Sequence, residues 1–99
     1  MEVSKKDLDR SYRWSEAIKA CKDSREGGFK NWFLPHTEML FFIHQNQDEI
    51  GGFAFHESYW SSSENSENDA STQFFDMGYY LPGIQAKDNK YLVRCARAF

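Results

Sequence analysis

The densest chemistry in the chain is Glu64-Asn65-Ser66-Glu67-Asn68-Asp69, an unbroken run of oxygen-bearing side chains that follows Trp60-Ser61-Ser62-Ser63. A ring beside flexible hydroxyl and amide groups is the combination adaptable binding surfaces use, since rings supply area and polar groups supply hydrogen bonds. The candidate ligand-binding residues are therefore Trp60, Ser62, Ser63, Glu64, Asn65, Glu67, Asn68 and Asp69, with the nearby Tyr79 and Tyr80. The plain alternative is that Trp60 belongs to the core and the polar run is only a hydrated loop. The run has no means of burying itself, so an exposed loop is expected in either case.

The remaining reactive residue types are scattered. Cys21 and Cys95 form no CxxC pair and share no zinc-like spacing with histidine, which removes most metal and redox readings. They are either two independent buried thiols or one disulfide. In the second case the bond would close a loop of about 75 residues, worth roughly 4–5 kcal/mol in the chain-entropy model. His36, His44 and His56 have no partnered spacing, and core or surface roles are expected for them. Nucleophilic catalysis needs a hydroxyl or thiol with a placed base; the serines show no nucleophile-elbow motif, so no catalytic residue is assigned. Arg94 and Arg97 could contact an anion, but ion pairing within this acidic chain is the simpler expectation.

Ninety-nine residues make one domain, since a second core would not fit. Nine Phe, five Tyr and three Trp against four Ile and two Val suit a loop-rich α+β fold, because buried parallel strands are rich in aliphatic residues. The net charge is −3 and no run of Lys or Arg exceeds two, so the basic patch of a nucleic-acid-binding surface is missing. The longest apolar run, Met39 to Ile43, falls far short of the roughly 20 residues a membrane helix needs. No nucleic-acid partner and no membrane insertion are expected. Residues 1–10 lack the apolar segment of a signal peptide.

Trp14, Ala17, Ile18 and Cys21 recur at one face of a helix that should run to about Asp23 and end before Gly27-Gly28. Pro35 keeps Leu34 extended. A second helix should begin at His36 or Thr37, with Glu38 in its first turn, and fade at Gln45-Asn46-Gln47. The second half reads as strands: Phe53 to Phe55, Tyr59 to Ser63, and Thr72 to Met77 turning at Gly78. A turn-rich connection follows over 79–89, and a last strand covers 90–97. In that last strand Tyr91, Val93 and Cys95 share one face and Arg94 takes the other.

Trp14-Ser15-Glu16-Ala17, Asn31-Trp32-Phe33-Leu34-Pro35, Tyr59-Trp60-Ser61-Ser62-Ser63 and Val93-Arg94-Cys95-Ala96-Arg97 occur in an order that resembles one family. This is the bacterial domain at the C-terminus of the collagen-like adhesin Lcl, more distantly related to the formylglycine-generating enzymes. The resemblance spans about residues 12–98. It implies an α+β, C-type-lectin-like fold: two helices followed by a mainly antiparallel twisted sheet with long loops. It also implies an extracellular or cell-envelope setting, ligand binding on loops of the second half, and a disulfide from the first helix to the last strand, here Cys21–Cys95.

The chain departs from that pattern at three places. Phe33 stands where the family has Arg, and His36 stands where Ser or Thr caps the second helix, so Thr37 is expected to cap instead. Residues 1–11 lack the family's first-strand signature and read as a charged tail or degenerate first strand. That would leave a sheet edge open to self-association, with the lectin-like domain over 12–99. Neither the Glu-Pro-Asn nor the Trp-Asn-Asp pattern of calcium-dependent lectins occurs, and the paired active-site cysteines of the formylglycine-generating enzymes are absent. The expectation is a non-catalytic recognition module for a glycan or surface protein, without cofactor and with calcium a minor alternative. The competing reading is a structural or oligomerisation unit of a larger envelope, fibrous or phage-type protein.

Overall fold

Two three-stranded antiparallel sheets and three helices make up the computed structural model, which describes residues 1–76 and 80–98. The elements are β1 (Glu2–Val3), α1 (Trp14–Asp23), β2 (Trp32–Phe33), α2 (Thr37–Gln45), α3 (Gln47–Ile50), β3 (Glu57–Glu64), β4 (Asp69–Phe75), β5 (Tyr80–Ala86) and β6 (Ala96–Arg97). One sheet has the order β1-β6-β2 and the other β3-β4-β5.

Helix α1 forms where the apolar spacing places it, with Ala17 and Cys21 buried and Trp14 and Ile18 packed beside them. The backbone N–H of Arg13 donates to the Glu16 carboxylate at 3.0 Å, which satisfies a group the first turn leaves open. That hydrogen bond holds the Glu16 carboxyl below its usual range. Helix α2 starts at Thr37 as expected, but the cap is His36: its Nδ1 accepts from the Met39 N–H at 3.4 Å. Thr37 is turned to the sheet instead, its N–H donating to Ser63 Oγ at 3.0 Å. The chain does not stop at Asn46 but makes one more short helix before Gly51 and Gly52, both at positive φ.

The N-terminal segment is not a tail. β1 pairs with β6 as Glu2↔Arg97 and Val3↔Ala96, while β2 occupies the other side of β6. Ser4 and Leu8 donate to the carbonyls of Cys95 and Val93, and Tyr12 and Tyr91 exchange backbone hydrogen bonds. The first strand is thus short but present, and the edge expected to invite self-association is occupied. Between them, Cys21 and Cys95 form a disulfide with their Cα atoms 5.6 Å apart. It sits among Tyr12, Trp32, Leu34, Trp60, Ala70 and Val93. A second apolar cluster, Leu40, Ile43, Tyr59 and Phe75, lies under α2.

Three expected elements differ. Phe53 to Phe55 is not a strand: the Ala54 N–H is taken by Tyr59 Oη at 2.9 Å, and Phe53 stacks on Phe75 with centroids 4.7 Å apart. Residues 80–86, expected as a connection, form β5, an outer strand that tolerates Pro82 and Gly83. Lys87 N–H donates to Asn68 O, which fixes the alternation of the ladder. Pro82, opposite Gln73, therefore faces its nitrogen away from β4, where no N–H is required. The continuous strand expected over 90–97 is split between partners. Leu92 exchanges hydrogen bonds with Ser58 and Trp60 of one sheet, while Ala96 and Arg97 join the other. The expected turn at Gly78 lies outside the described residues.

Arg94 explains how the split segment is held. It was expected on an outer face, yet its side chain is entirely buried. Nε donates to Asp7 Oδ1 at 2.9 Å, Nη1 to the carbonyls of Ser4 and Gly51, and Nη2 to the carbonyl of Gly52 at 2.8 Å. The guanidinium also lies 4.0 Å from the centroid of the Phe53 ring. Asp7 accepts a further hydrogen bond from Tyr59 Oη at 2.7 Å. Burial pushes the Tyr59 phenol well above its ordinary range.

Candidate functional site

The sequence singles out residues 60–69 as one surface, and the structure divides them. Trp60 is fully buried in the disulfide cluster, its Nε1 donating to the Tyr12 carbonyl at 2.7 Å and its ring edge-on to Tyr91. It corrects the expectation of an exposed ring: a large side chain on the inner face of β3 is worth more to the core than to the surface.

The serines that follow serve a bulge. Trp60 pairs with Thr72 but Glu64 pairs with Ala70, so β3 carries extra residues between these points. A bulge leaves backbone groups off the ladder, and hydroxyls take them up. Ser61 Oγ donates to Ser71 O at 2.9 Å and accepts from Ser63 N–H at 3.1 Å. Ser63 Oγ accepts from Thr37, so it too is a structural group. Ser62 is tied through its N–H to the Pro35 carbonyl at 2.9 Å. Its side chain lines a shallow groove with Ile18, Trp32 and Leu34.

Residues 64–68 are exposed and turn β3 into β4. The loop is braced from within and from outside. Asn65 and Ser66 both donate backbone N–H groups to Asp69 O, at 2.9 and 3.0 Å. Ser66 Oγ donates to Asp69 Oδ2 and accepts from the Asp69 N–H. Lys87 Nζ reaches across from the end of β5 to Glu64 Oε2 at 2.6 Å and the Glu67 carbonyl at 2.9 Å. It lies 4.4 Å from the centroid of Trp14, whose own Nε1 donates to Ser61 O. Glu64 and Asp69 are thus used to hold the loop. The side chains of Asn65, Glu67 and Asn68 make no hydrogen bond or ion pair with any described residue.

Lys87, Trp14 and Ser66 are the site residues that sequence reasoning missed. Ser66 carried a local signal, a serine three residues before an aspartate that a tight turn can use. Lys87 carried none, because only the β4–β5 pairing brings it to Glu64. Tyr79 and the side chain of Tyr80 lie outside the described residues.

The other candidates separate. Arg97 is ion-paired to Glu2 and lies 3.5 Å from the centroid of Phe29, and Arg94 is consumed by the interior, so neither is offered to an anion. His36 caps α2, His44 is buried with Nε2 3.1 Å from the Asp76 carbonyl, and His56 sits in a turn at φ 63°. Among the described residues no three His, Cys, Asp or Glu side chains converge on a point where they could hold a metal ion. No helix among them is long and apolar enough to cross a membrane. No protein-family model matches the sequence, and neither does any curated protein.

Proposed function

We propose that the chain is a non-catalytic recognition module with a C-type-lectin-like fold, and that it presents the β3–β4 loop to a glycan or a surface protein. The observation that carries this reading is the state of the loop. It is exposed, held in one shape by Ser66, Asp69 and Lys87, and left with Asn65, Glu67 and Asn68 pointing at no described partner. A surface ordered before its ligand arrives loses less conformational freedom on binding. Two amides and a carboxylate offer donors and acceptors at once, which suits the hydroxyl-rich edge of a sugar or a polar protein patch.

The fold reading draws its support from arrangement. The first helix is bonded to the last segment by Cys21–Cys95, both ends of the chain share one small sheet, and a second sheet carries the loop. Of these, the link from the first helix to the last segment is the one that the resemblance to the Lcl C-terminal domain implies. A disulfide persists where conditions are oxidising, which fits an extracellular or envelope setting.

The test is binding of the oxidised chain to arrayed glycans and cell-surface proteins, beside the triple variant Asn65→Ala/Glu67→Ala/Asn68→Ala. The reading expects a signal that the triple variant loses at an unchanged melting temperature. A signal that survives the triple variant contradicts it.

A further inference from the structure

Strand β5 ends the β3-β4-β5 sheet, and among the described residues no strand lies along its outer edge. Which backbone groups stand on that edge follows from the ladder. Lys87 donates its N–H to Asn68 O, and Gln85 and Gly83 lie opposite Ala70 and Thr72, so these three turn their backbone groups to β4. The far side of the sheet agrees. Ser58 and Trp60 bond to Leu92, which leaves Tyr59 to bond Gln73 and the even-numbered residues of β4 to bond β5. Pro82, Ile84 and Ala86 therefore point their backbone groups outward. Ile84 lies opposite Ser71, whose hydroxyl meets Thr37 of α2. Its side chain thus stands on the α2 face of the sheet, and it is 52% exposed.

An edge of this kind accepts a further strand, and two gaps in its pattern indicate which one. Pro82 has no N–H to give, and Ala86 O is already taken by the Asn89 N–H at 3.0 Å. What remains is two donors, Ile84 and Ala86, and two acceptors, Pro82 and Ile84. An antiparallel strand of unrelated sequence would set a carbonyl against Pro82 that finds no donor, and an N–H against the engaged carbonyl of Ala86. A second β5 with Ile84 opposite Ile84 brings Pro82 of one copy opposite Ala86 of the other, and the two gaps coincide: the donor that Pro82 lacks is the one that Ala86 O does not need. We propose that β5 of two copies of the chain pair antiparallel about a two-fold axis at Ile84, joining their sheets into one of six strands. The two Ile84 residues exchange both backbone hydrogen bonds, and each Ala86 N–H donates to the Pro82 carbonyl of the other copy. Every remaining outward donor and acceptor of this segment is then used, and the two Ile84 side chains meet across the new pair. Helix α2 packs over β3 and β4. Strand spacing of about 4.8 Å sets the two β4 strands about 14 Å apart, so helices about 10–12 Å wide clear each other. The β3–β4 loop takes no part, so this pairing stands apart from the recognition reading. Pro82 keeps the new ladder short, and association belongs to the weak class of interfaces, below about 1,200 Å² in total.

Sedimentation velocity and amide hydrogen exchange, each run from micromolar to millimolar protein, test it. The wild type forms a dimer whose population rises with concentration. Exchange at Ile84 and Ala86 slows as it does so, while Gly83 and Gln85, bonded within the chain, are protected throughout. Ile84→Pro removes the central donor and leaves the β4 ladder intact, because that nitrogen faces outward; it weakens association at least about tenfold. Ile84→Lys keeps every backbone group and sets like charges opposite each other, which also weakens it. Circular dichroism of Ile84→Lys should overlay the wild type. A wild type that stays monomeric at millimolar concentration overturns the proposal. So does a dimer that Ile84→Lys leaves as strong as before, or one that forms while Ile84 and Ala86 exchange as fast as in dilute protein.

Discussion

Replacing Arg94 by methionine keeps most of the side-chain volume and removes the guanidinium at the junction of three chain segments. The loss can be worked out from what is left behind. Asp7 keeps the Tyr59 hydroxyl but loses its cation, and the carbonyls of Ser4, Gly51 and Gly52 lose their donor, the first in a buried setting and the two glycines in part-buried ones. Removing one member of a buried ion pair costs about 3–5 kcal/mol. Each orphaned buried acceptor costs about 1–3 kcal/mol, although such costs do not simply add. A total of at least about 3 kcal/mol is expected, a large share of the roughly 5–15 kcal/mol that stabilises a domain. For a chain of this size it lowers the melting temperature by more than about 12 °C. Arg94→Lys should fall in between, since an ammonium can hold Asp7 but cannot fork to Ser4, Gly51 and Gly52 together. The assay is urea unfolding of oxidised protein followed by tryptophan fluorescence. A loss under about 1 kcal/mol for Arg94→Met, the figure for an exposed pair, would refute the reasoning.

Three further outcomes follow from the same structure. Cys21→Ala/Cys95→Ala should lose about 4 kcal/mol of stability in urea unfolding, because the bond closes a separation of 74 residues; an unchanged midpoint contradicts this. The Tyr59 phenol titrates higher in the fold than when unfolded, chiefly because it is buried. The folded state therefore holds that proton longer, and the stability it contributes is intact below about pH 10 and declines as pH rises beyond it. Thermal melts across that range should show Tyr59→Phe declining less steeply than the wild type, and equal slopes would exclude Tyr59 as the cause. Millimolar calcium, or its removal by EDTA, should leave the melting temperature unchanged, and a shift of several degrees on adding calcium would reveal a site.

Some of this arrangement could be read from residue order. The α1 face of Ala17 and Cys21, the start of α2 after Pro35, and the exposed turn over 64–68 all rest on local signals: helical spacing, a proline, and a run with nothing to bury. What escaped depends on pairing between distant segments. The serines after Trp60 resemble a binding surface because hydroxyls that fill a bulge and hydroxyls that meet a ligand are the same residue type. Only the shift in register between Trp60 and Glu64 tells them apart. Arg94 falls on the face opposite Val93 and Cys95, as strand alternation requires, but that face is covered by Gly51, Gly52 and Phe53. The two glycines lie at φ 79° and 80°, a conformation that turns their carbonyls to Arg94. A Cβ on Gly52 would lie 3.2 Å from Arg94 Nη2. The first strand escaped for a related reason: two residues of β1 carry too little pattern to be seen, and their position follows from β6.

The proposed recognition function requires the β3–β4 loop to be the surface that meets the ligand. Its most direct test is amide chemical-shift mapping of the oxidised protein, titrated with the strongest binder from the glycan and protein arrays. Shifts concentrated at residues 64–69 and at Lys87 are the predicted result. Shifts that leave these residues still and gather elsewhere would contradict it.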